Sequence, residues 1–235
     1  MNLGESAEIV SKLWRLTRVE QDALSVNSHC KAGRARAMGL LAEEIVGISL
    51  PSGEMVDEDG CIRPDTTMES LAALEPLYRQ GGLVTAGTSS PFAGGASAVL
   101  VMDEAFAERH DLEPLARIAA CGSSGVDPAL MGIAPVSAAR RALFRTGIVS
   151  SELDVVELSE TFSSHALAFM RDLELDPIRV NIDGGALALG LPLGAAGAHI
   201  AGKAAALLAR TGGRYALAAQ PIAGGQGIAT LLERA

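Results

Sequence analysis

The glycine-rich segment NIDGGALALGLPLGAAGAHIAGKAA, residues 181–205, is the stretch best suited to holding a ligand. Its glycines permit sharp turns and a close approach of the backbone to a ligand or to another loop. A helix predicted to begin near Ala195 directs free backbone amides at whatever precedes it, which suits an anion. The segment contains neither GxxxxGK[ST] nor GxGxxG, so it is not a P-loop or a dinucleotide fingerprint. The alternative interpretation is that its Gly and Ala residues serve only close helix–sheet packing.

Strand-length apolar runs that alternate with helical segments surround this loop from residue 96 onward. Such alternation predicts an α/β layered sheet with helices on its faces. The predicted strands cover residues 96–102, 115–122 and 154–160 and a C-terminal hairpin over 214–225 and 227–234. The predicted helices cover residues 103–110, 135–147, 163–173 and 195–210.

The first 80 residues are more polar and are predicted to be largely helical. A capping box between Thr17 and Glu20 predicts a helix from Arg18 to about Ile45, preceded by a shorter helix over residues 5–15. Residues 51–67 are rich in turn formers and acids, which predicts a loop, and a short helix follows over 68–78.

The composition excludes several classes of protein. The 235 residues carry a net charge of −9 and show no basic stripe, so a nucleic-acid partner is not expected. No uncharged apolar run reaches the roughly 20 residues of a membrane span, and the N-terminus lacks a signal-peptide layout. We therefore expect a cytoplasmic protein.

The three cysteines, Cys30, Cys61 and Cys121, are an odd number and are widely spaced. This pattern indicates neither a disulfide framework nor a zinc site, and no metal site is predicted. Cys121 lies inside an apolar run, which predicts a small buried side chain.

Several longer blocks make the chain resemble the thiolase family in collinear order over essentially its whole length. Residues 181–199 are similar to the family block NxNGGAIALGHPLGASGAR, and 82–102 to TVTAGNSSxxxDGAAAVLLM. Residues 125–143 are similar to GVDPxxMGxGPVPAxxxAL, 156–168 to a block that includes EINEAFAAQxLA, and 223–234 to GGGQGIAxxxER. The closest likeness is to the β-subunit of the bacterial fatty-acid oxidation complex.

This resemblance implies a thiolase-like βαβαβαββ layered mixed sheet preceded by a partial helical loop domain. It implies a division into residues 1–106, a remnant of the family's N-terminal half, and residues 107–235, the C-terminal domain. We expect only the C-terminal part of a thiolase, without the segment that carries the nucleophilic cysteine.

Three family catalytic positions hold other residues. Leu191 stands where the resemblance implies a histidine that activates the nucleophile, and Pro221 where it implies an acid/base cysteine. Ser159 stands where it implies an asparagine that orients a water in the oxyanion hole. Neither leucine nor proline can exchange a proton, and such groups typically contribute about 10²–10⁴ each to the rate. Glu160 and Phe162 keep their family positions.

The resemblance implies further candidates around these positions. Ser90 matches a serine that contacts coenzyme A, and Met131 a methionine that lines the acyl pocket, with Phe162 beside it. His165 stands where the family usually has glutamine. It is either a base recruited to the site, with Ser159 and Glu160, or a polar residue at a helix start, and the second interpretation is favoured.

These substitutions predict a non-catalytic thiolase-like subunit that binds a separate thiolase half or a full thiolase subunit, in a homo- or hetero-oligomer. The alternative is half of a split acyltransferase, in which a partner supplies the cysteine for Claisen condensation or thiolysis of acyl-CoA. No permanently bound cofactor is expected, and a coenzyme A thioester is considered only as a substrate.

Overall fold

A computed structural model describes residues 2–235 of the chain. Six strands are present: β1 (Ile48–Ser49), β2 (Met55–Val56), β3 (Ala116–Gly125), β4 (Val155–Leu158), β5 (Tyr215–Ile222) and β6 (Gln226–Arg234). The α-helices are α1 (Leu3–Leu13), α2 (Arg18–Ala37), α3 (Met68–Ala72), α4 (Glu104–Arg109), α5 (Ala134–Thr146), α6 (Ser163–Asp172), α7 (Ala186–Leu189) and α8 (Ala196–Thr211).

The main sheet has the strand order β3-β6-β5-β4. β4 runs parallel to β5, whereas the β5–β6 and β3–β6 pairs are antiparallel. A single parallel bridge between Val180 and Val156 extends the sheet beyond β4. There the Asn181 side chain accepts a hydrogen bond from the Leu158 amide at 2.7 Å and donates one to the Leu158 carbonyl at 2.9 Å. The predicted mixed α/β sheet is confirmed, including its C-terminal hairpin.

Helices cover both faces of this sheet. On one face α5 and α6 pack on the strands through residues such as Leu143, Phe169 and Leu217. On the other face α8 packs through Leu207 and Leu208. Because strand side chains alternate between faces, each strand supplies residues to both cores.

Gly122 shows why small residues are required in this arrangement. A Cβ atom at Gly122 would lie 2.1 Å from the Ala138 carbonyl oxygen of α5, far inside van der Waals contact. The glycine therefore fixes how closely α5 approaches β3.

The helical N-terminal region begins as predicted and ends earlier. Thr17 and Glu20 form the capping box at the start of α2. The helix then stops at Ala37 instead of continuing to about Ile45, because Gly39 adopts a left-handed φ of +73° just beyond the last turn.

The strand predicted at residues 96–102 is wrong. These residues form no strand, and Val99, Leu100 and Val101 are exposed by 47, 81 and 67%. A strand needs a neighbour for its backbone hydrogen bonds, and within residues 2–235 no strand lies beside this segment.

Cys121 corrects a second prediction. It lies on β3, which is an edge strand, and it is exposed instead of buried.

In the part of the chain that the structure describes, no helix is long and apolar enough to cross a bilayer.

The buried carboxylate of Glu8 joins α1 to the loop that leads toward Ser90. It is 4% exposed and accepts hydrogen bonds from the amides of Leu83 and Val84, each at 2.9 Å. If this carboxylate is removed, two buried amide donors lose their hydrogen-bond acceptor.

We predict that Glu8→Ala lowers the free energy of unfolding by about 3 kcal/mol, because buried donors lose charge-assisted bonds. Urea unfolding followed by circular dichroism measures this. Glu43→Ala, at an exposed glutamate, is the matched control and is expected to stay within about 0.5 kcal/mol of wild type. Equal stabilities of the two variants would contradict the assigned role of Glu8.

Candidate functional site

A small cavity of about 20 Å³ lies where β4 ends against the glycine-rich loop. Ser159, immediately after β4, and Leu191, in the loop, both line it. The structure therefore brings together two of the three substituted family positions. Both residues are buried, by 96 and 93% of their surface, and the Ser159 hydroxyl lies 3.4 Å from that of Thr161.

The loop that carries Ser90 meets the glycine-rich loop at this end of the sheet. The Leu191 amide donates to the Pro91 carbonyl at 2.9 Å. Gly190, at φ +88°, packs so closely that a Cβ there would lie 2.8 Å from the Cβ of Ala93. The Ser90 amide and hydroxyl both donate to the Thr161 carbonyl, at 3.0 and 3.1 Å. Ser90 is therefore held half-buried beside the segment that follows Ser159.

Glu160 ties the site to α2. Its Oε2 atom accepts a hydrogen bond from the Ser28 hydroxyl at 2.7 Å, and that hydroxyl accepts one from the Gly185 amide at 3.0 Å. Burial raises the pKa of Glu160, and hydrogen bonds from Ser28 and Asn181 oppose this effect. The carboxyl group serves here to join three segments of chain.

Pro221 lies apart from this cavity. It stands near the end of β5, opposite Gly227 of β6, and does not line the space between Ser159 and Leu191.

His165 and Phe162 pack against each other beside the Ser90 loop, and Met131 is buried in the segment that precedes α5. The rings of Phe162 and His165 are edge-to-face with centroids 5.1 Å apart, and Phe162 makes a similar contact with Tyr78 at 6.1 Å. Met131 is 6% exposed, and the neighbouring Gly132 lies directly against the His165 ring.

His165 lies in the first turn of α6, at the predicted helix start, and its side chain is buried. It is 2% exposed, and neither ring nitrogen has a hydrogen-bond partner among residues 2–235. Burial lowers the pKa of His165 to about 3, so the imidazole is neutral at physiological pH.

A network of charges centred on the buried Lys203 and Asp183 lies next to the cavity and was not predicted from the sequence. Lys203 of α8 lies 2.8 Å from Glu44 and 2.6 Å from Asp183, and Arg210 lies 2.6 Å from the other oxygen of Asp183. Glu157 of β4 faces the same space. The available signal was the alternation of β4, which places Glu157 on the same face as Ser159.

The described residues hold no group of three or more His, Cys, Asp or Glu side chains arranged to bind a metal ion. None of the three cysteines lines the cavity.

We predict that His165→Leu flattens the dependence of stability on pH below about 6.5. Its folded pKa lies below the unfolded value, so the unfolded chain binds the extra proton and wild type loses stability as pH falls from 6.5 toward 3. The loss is at most about 1.4 kcal/mol per pH unit. Urea unfolding at pH 7.5, 6.0 and 5.0, read as the difference between variant and wild type, measures it.

His110→Leu, which removes an exposed histidine, is the matched control for that series. A His165→Leu profile parallel to that of wild type would contradict the burial of a neutral imidazole.

Comparison with protein families places the whole chain in one group. The model described as "Thiolase, N-terminal domain" matches residues 1–105, and the one described as "Thiolase, C-terminal domain" matches residues 112–234. The prediction that only the C-terminal part of the family is present is therefore wrong, because residues of both domains are recognised.

Individual relatives agree with this assignment. The chain is 42% identical over 239 residues to 3-oxoadipyl-CoA/3-oxo-5,6-dehydrosuberyl-CoA thiolase of Escherichia coli K12, covering 99% of this chain and 60% of that protein. It is 44% identical over 240 residues to 3-ketoacyl-CoA thiolase of Shewanella sp. W3-18-1, covering 99% and 62%. The chain thus spans about three fifths of the length of the curated relatives it matches.

Solved structures of human mitochondrial 3-ketoacyl-CoA thiolase superpose on the entire chain. One gives a TM-score of 0.97 at 37% identity and covers 60% of the human chain. A second, in complex with CoA, gives 0.94 at 35% identity and covers 59%.

These findings correct the predicted function as well. The relatives that match the chain over almost all its residues are named as thiolases, and nothing among them indicates a non-catalytic subunit. The prediction of a non-catalytic partner subunit is wrong. The chain belongs to the thiolase family.

Proposed function

We propose that this protein is a thiolase-type acyltransferase that acts on acyl-CoA thioesters in fatty-acid metabolism. The observation that carries the proposal is the superposition of the whole chain on a CoA-bound thiolase with a TM-score of 0.94. The family-model matches at 1–105 and 112–234 also support a division of the chain at residues 1–106 and 107–235. A cytoplasmic location stays a prediction.

In this proposal the Ser90 loop contacts coenzyme A. Ser90 is half-buried and fixed by two hydrogen bonds to the Thr161 carbonyl, so its oxygen keeps a constant position. A hydroxyl oxygen that donates one hydrogen bond can still accept another from a ligand. Coenzyme A is bound as a substrate here and is not a permanent cofactor.

The proposal assigns different roles to the residues at the family's catalytic positions. Leu191 and Pro221 have no group that exchanges a proton, so they act through shape alone. Ser159 keeps hydrogen-bonding capacity beside the cavity, and Glu160 holds the glycine-rich loop. Met131 and Phe162 are assigned to the acyl pocket, with His165 packed against the Phe162 ring.

We predict that wild-type protein binds CoA and that Ser90→Ala weakens this binding roughly 2- to 10-fold, because one hydrogen bond is worth about 0.5–1.5 kcal/mol. Isothermal titration calorimetry with CoA measures both dissociation constants. Ser52→Ala, in an exposed turn, is the matched control and is expected to bind as wild type does.

Unchanged binding by Ser90→Ala would remove Ser90 from the CoA contact. Absence of CoA binding by wild type, together with no CoA-dependent cleavage of a 3-ketoacyl-CoA followed by mass spectrometry, would overturn the proposed function.

Thiolases typically assemble as oligomers, and we propose that the apolar segment 96–102 is covered by another polypeptide segment of thiolase architecture. Phe92 and Leu100 are more than four fifths exposed, and Val101 is 67% exposed. A contiguous apolar face of this kind marks an association surface. The partner is a second thiolase-type segment because residues 82–102 retain the family block.

We predict that wild type is an oligomer in light scattering and that Leu100→Lys shifts it to a smaller species, because a charge in an apolar interface is costly to desolvate. Val46→Lys, at a residue that is 85% exposed elsewhere, is the matched control. A monomeric wild type, or an unchanged mass for Leu100→Lys, would contradict association through this segment.

A further inference from the structure

Strand β3 is the open edge of the main sheet on the side away from β4. It pairs with β6, and in the part of the chain that the structure describes no strand lies along its other side. Peptide groups on an open edge can form hydrogen bonds with a strand of another molecule. An edge of this kind leads to unwanted association unless some feature of the protein prevents it.

The pairing register shows which peptide groups of β3 face outward. The Val126 amide donates to the Gly225 carbonyl at 2.7 Å, so residue 126 faces β6. Successive residues of an antiparallel strand alternate between the partner strand and the open side. The even-numbered residues of this stretch therefore face β6, whereas Cys121, Ser123 and Gly125 direct their backbone N–H and C=O groups outward.

Two arginines of α5 occupy outward carbonyl groups of this edge. Arg141 donates to the Ser123 carbonyl at 2.7 Å, and Arg145 donates to the Cys121 carbonyl. The two arginines are four residues apart, so they lie on the same face of the helix. Each guanidinium group covers an acceptor that a pairing strand would need.

These two arginines have no ion-pair partner that would explain their position. Neither Arg141 nor Arg145 forms a salt bridge within residues 2–235. The neighbouring Arg140 differs, because it donates to the Asp172 carbonyl of α6 at 2.7 Å and so bonds away from the edge. The contacts of Arg141 and Arg145 with β3 are thus the specific feature of this face of α5.

The first half of β3 is interrupted by a different feature. Its register with β6 shifts between Ile118 and Ala120, which leaves Ala119 as the extra residue of a β-bulge. A bulge breaks the regular spacing of the ladder and makes an edge unsuitable for pairing. The regular stretch of the edge therefore runs from Ala120 to Gly125, and both arginine contacts fall within it.

The regular stretch is complementary to a second copy of itself. Two identical antiparallel edges can pair about a two-fold axis, and a register centred on Ser123 sets Cys121 of one copy opposite Gly125 of the other. The side chains of the outward residues are small, and those of Cys121 and Ser123 are exposed, so they leave room for a second strand. This pairing needs the two carbonyl groups that the arginines hold.

We propose that Arg141 and Arg145 prevent β3 from pairing with β3 of a second copy of this chain. Pairing would require each copy to give up two charge-assisted hydrogen bonds, so the edge stays open while the arginines are present. The inference does not depend on the proposed acyltransferase function, since it concerns a surface on which no substrate acts.

The first test is the mass of the double variant Arg141→Ala/Arg145→Ala in multi-angle light scattering, at the same concentration as wild type. We expect about twice the mass of wild type, because a two-fold contact joins two copies of whatever species wild type forms. Arg140→Ala, on the same helix, is the matched control and is expected to keep the wild-type mass. A double variant with the wild-type mass would overturn the proposal.

Amide hydrogen exchange shows where the copies meet. In wild type the amides of Cys121, Ser123 and Gly125 are expected to exchange freely, and in the double variant at least about tenfold more slowly. A larger mass without slower exchange at these amides would place the contact elsewhere and overturn the proposal. Slow exchange at these amides in wild type would overturn it as well, even if the double variant does not fold, because the edge would already be paired.

A third substitution tests the register directly. Proline has no N–H group and is tolerated on an edge strand where that group faces outward. We therefore expect Ser123→Pro, added to the double variant, to restore the wild-type mass. A triple variant that keeps the larger mass would contradict pairing through Ser123.

Discussion

The hydrogen-bond chain from Gly185 through Ser28 to Glu160 joins the parts of the molecule that the site needs. It connects the glycine-rich loop, α2 and the end of β4, which are distant in sequence. All three residues are buried, so water does not compete for these bonds. A buried carboxyl that is satisfied in this way resists displacement, because a broken bond leaves an unpaired polar group in the interior. The relative position of the helical region and the sheet follows from this chain.

Close approach explains the many small residues of the chain. At Gly185 a Cβ would lie 2.4 Å from the Glu160 carboxylate, and at Gly184 2.7 Å from the Cβ of Ala32. Gly227 likewise lies against the backbone of Ala134. These positions require glycine because atoms of a neighbouring segment occupy the space that a side chain would fill: side-chain atoms at Gly185, backbone atoms at Gly227, and both at Gly184. The high Gly and Ala content thus reflects the short distances between packed segments as much as the conformational freedom of the backbone.

Sequence patterns predicted the parts of the fold that neighbouring residues determine. The cap at Thr17 and the hairpin with Gly224 at its turn depend on a few adjacent positions, and both are present. The segment 96–102 was predicted wrongly because a strand depends on a partner elsewhere. The site likewise has a predictable and an unpredictable part. The family blocks implied that Ser159 and Leu191 lie in the same site. The pairing of Lys203 with Glu44 and Asp183, by contrast, arises only when distant segments pack. No local pattern distinguishes such a buried lysine from an exposed one.

Asn181 shows how a side chain can replace a whole strand. Its amide group makes both hydrogen bonds with Leu158 that a neighbouring peptide unit would make, and its own backbone amide donates to the Val156 carbonyl at 2.8 Å. The β4 side of the sheet is thereby closed with a single bridging residue, so β4 offers fewer free donors and acceptors to another chain than the other edge strand, β3. The backbone leaves the strand direction directly after Asn181, and the first loop glycine, Gly184, follows three residues later. One amide therefore ends the sheet beyond β4, protects that edge against intermolecular pairing, and sets the starting point of the loop that surrounds the cavity.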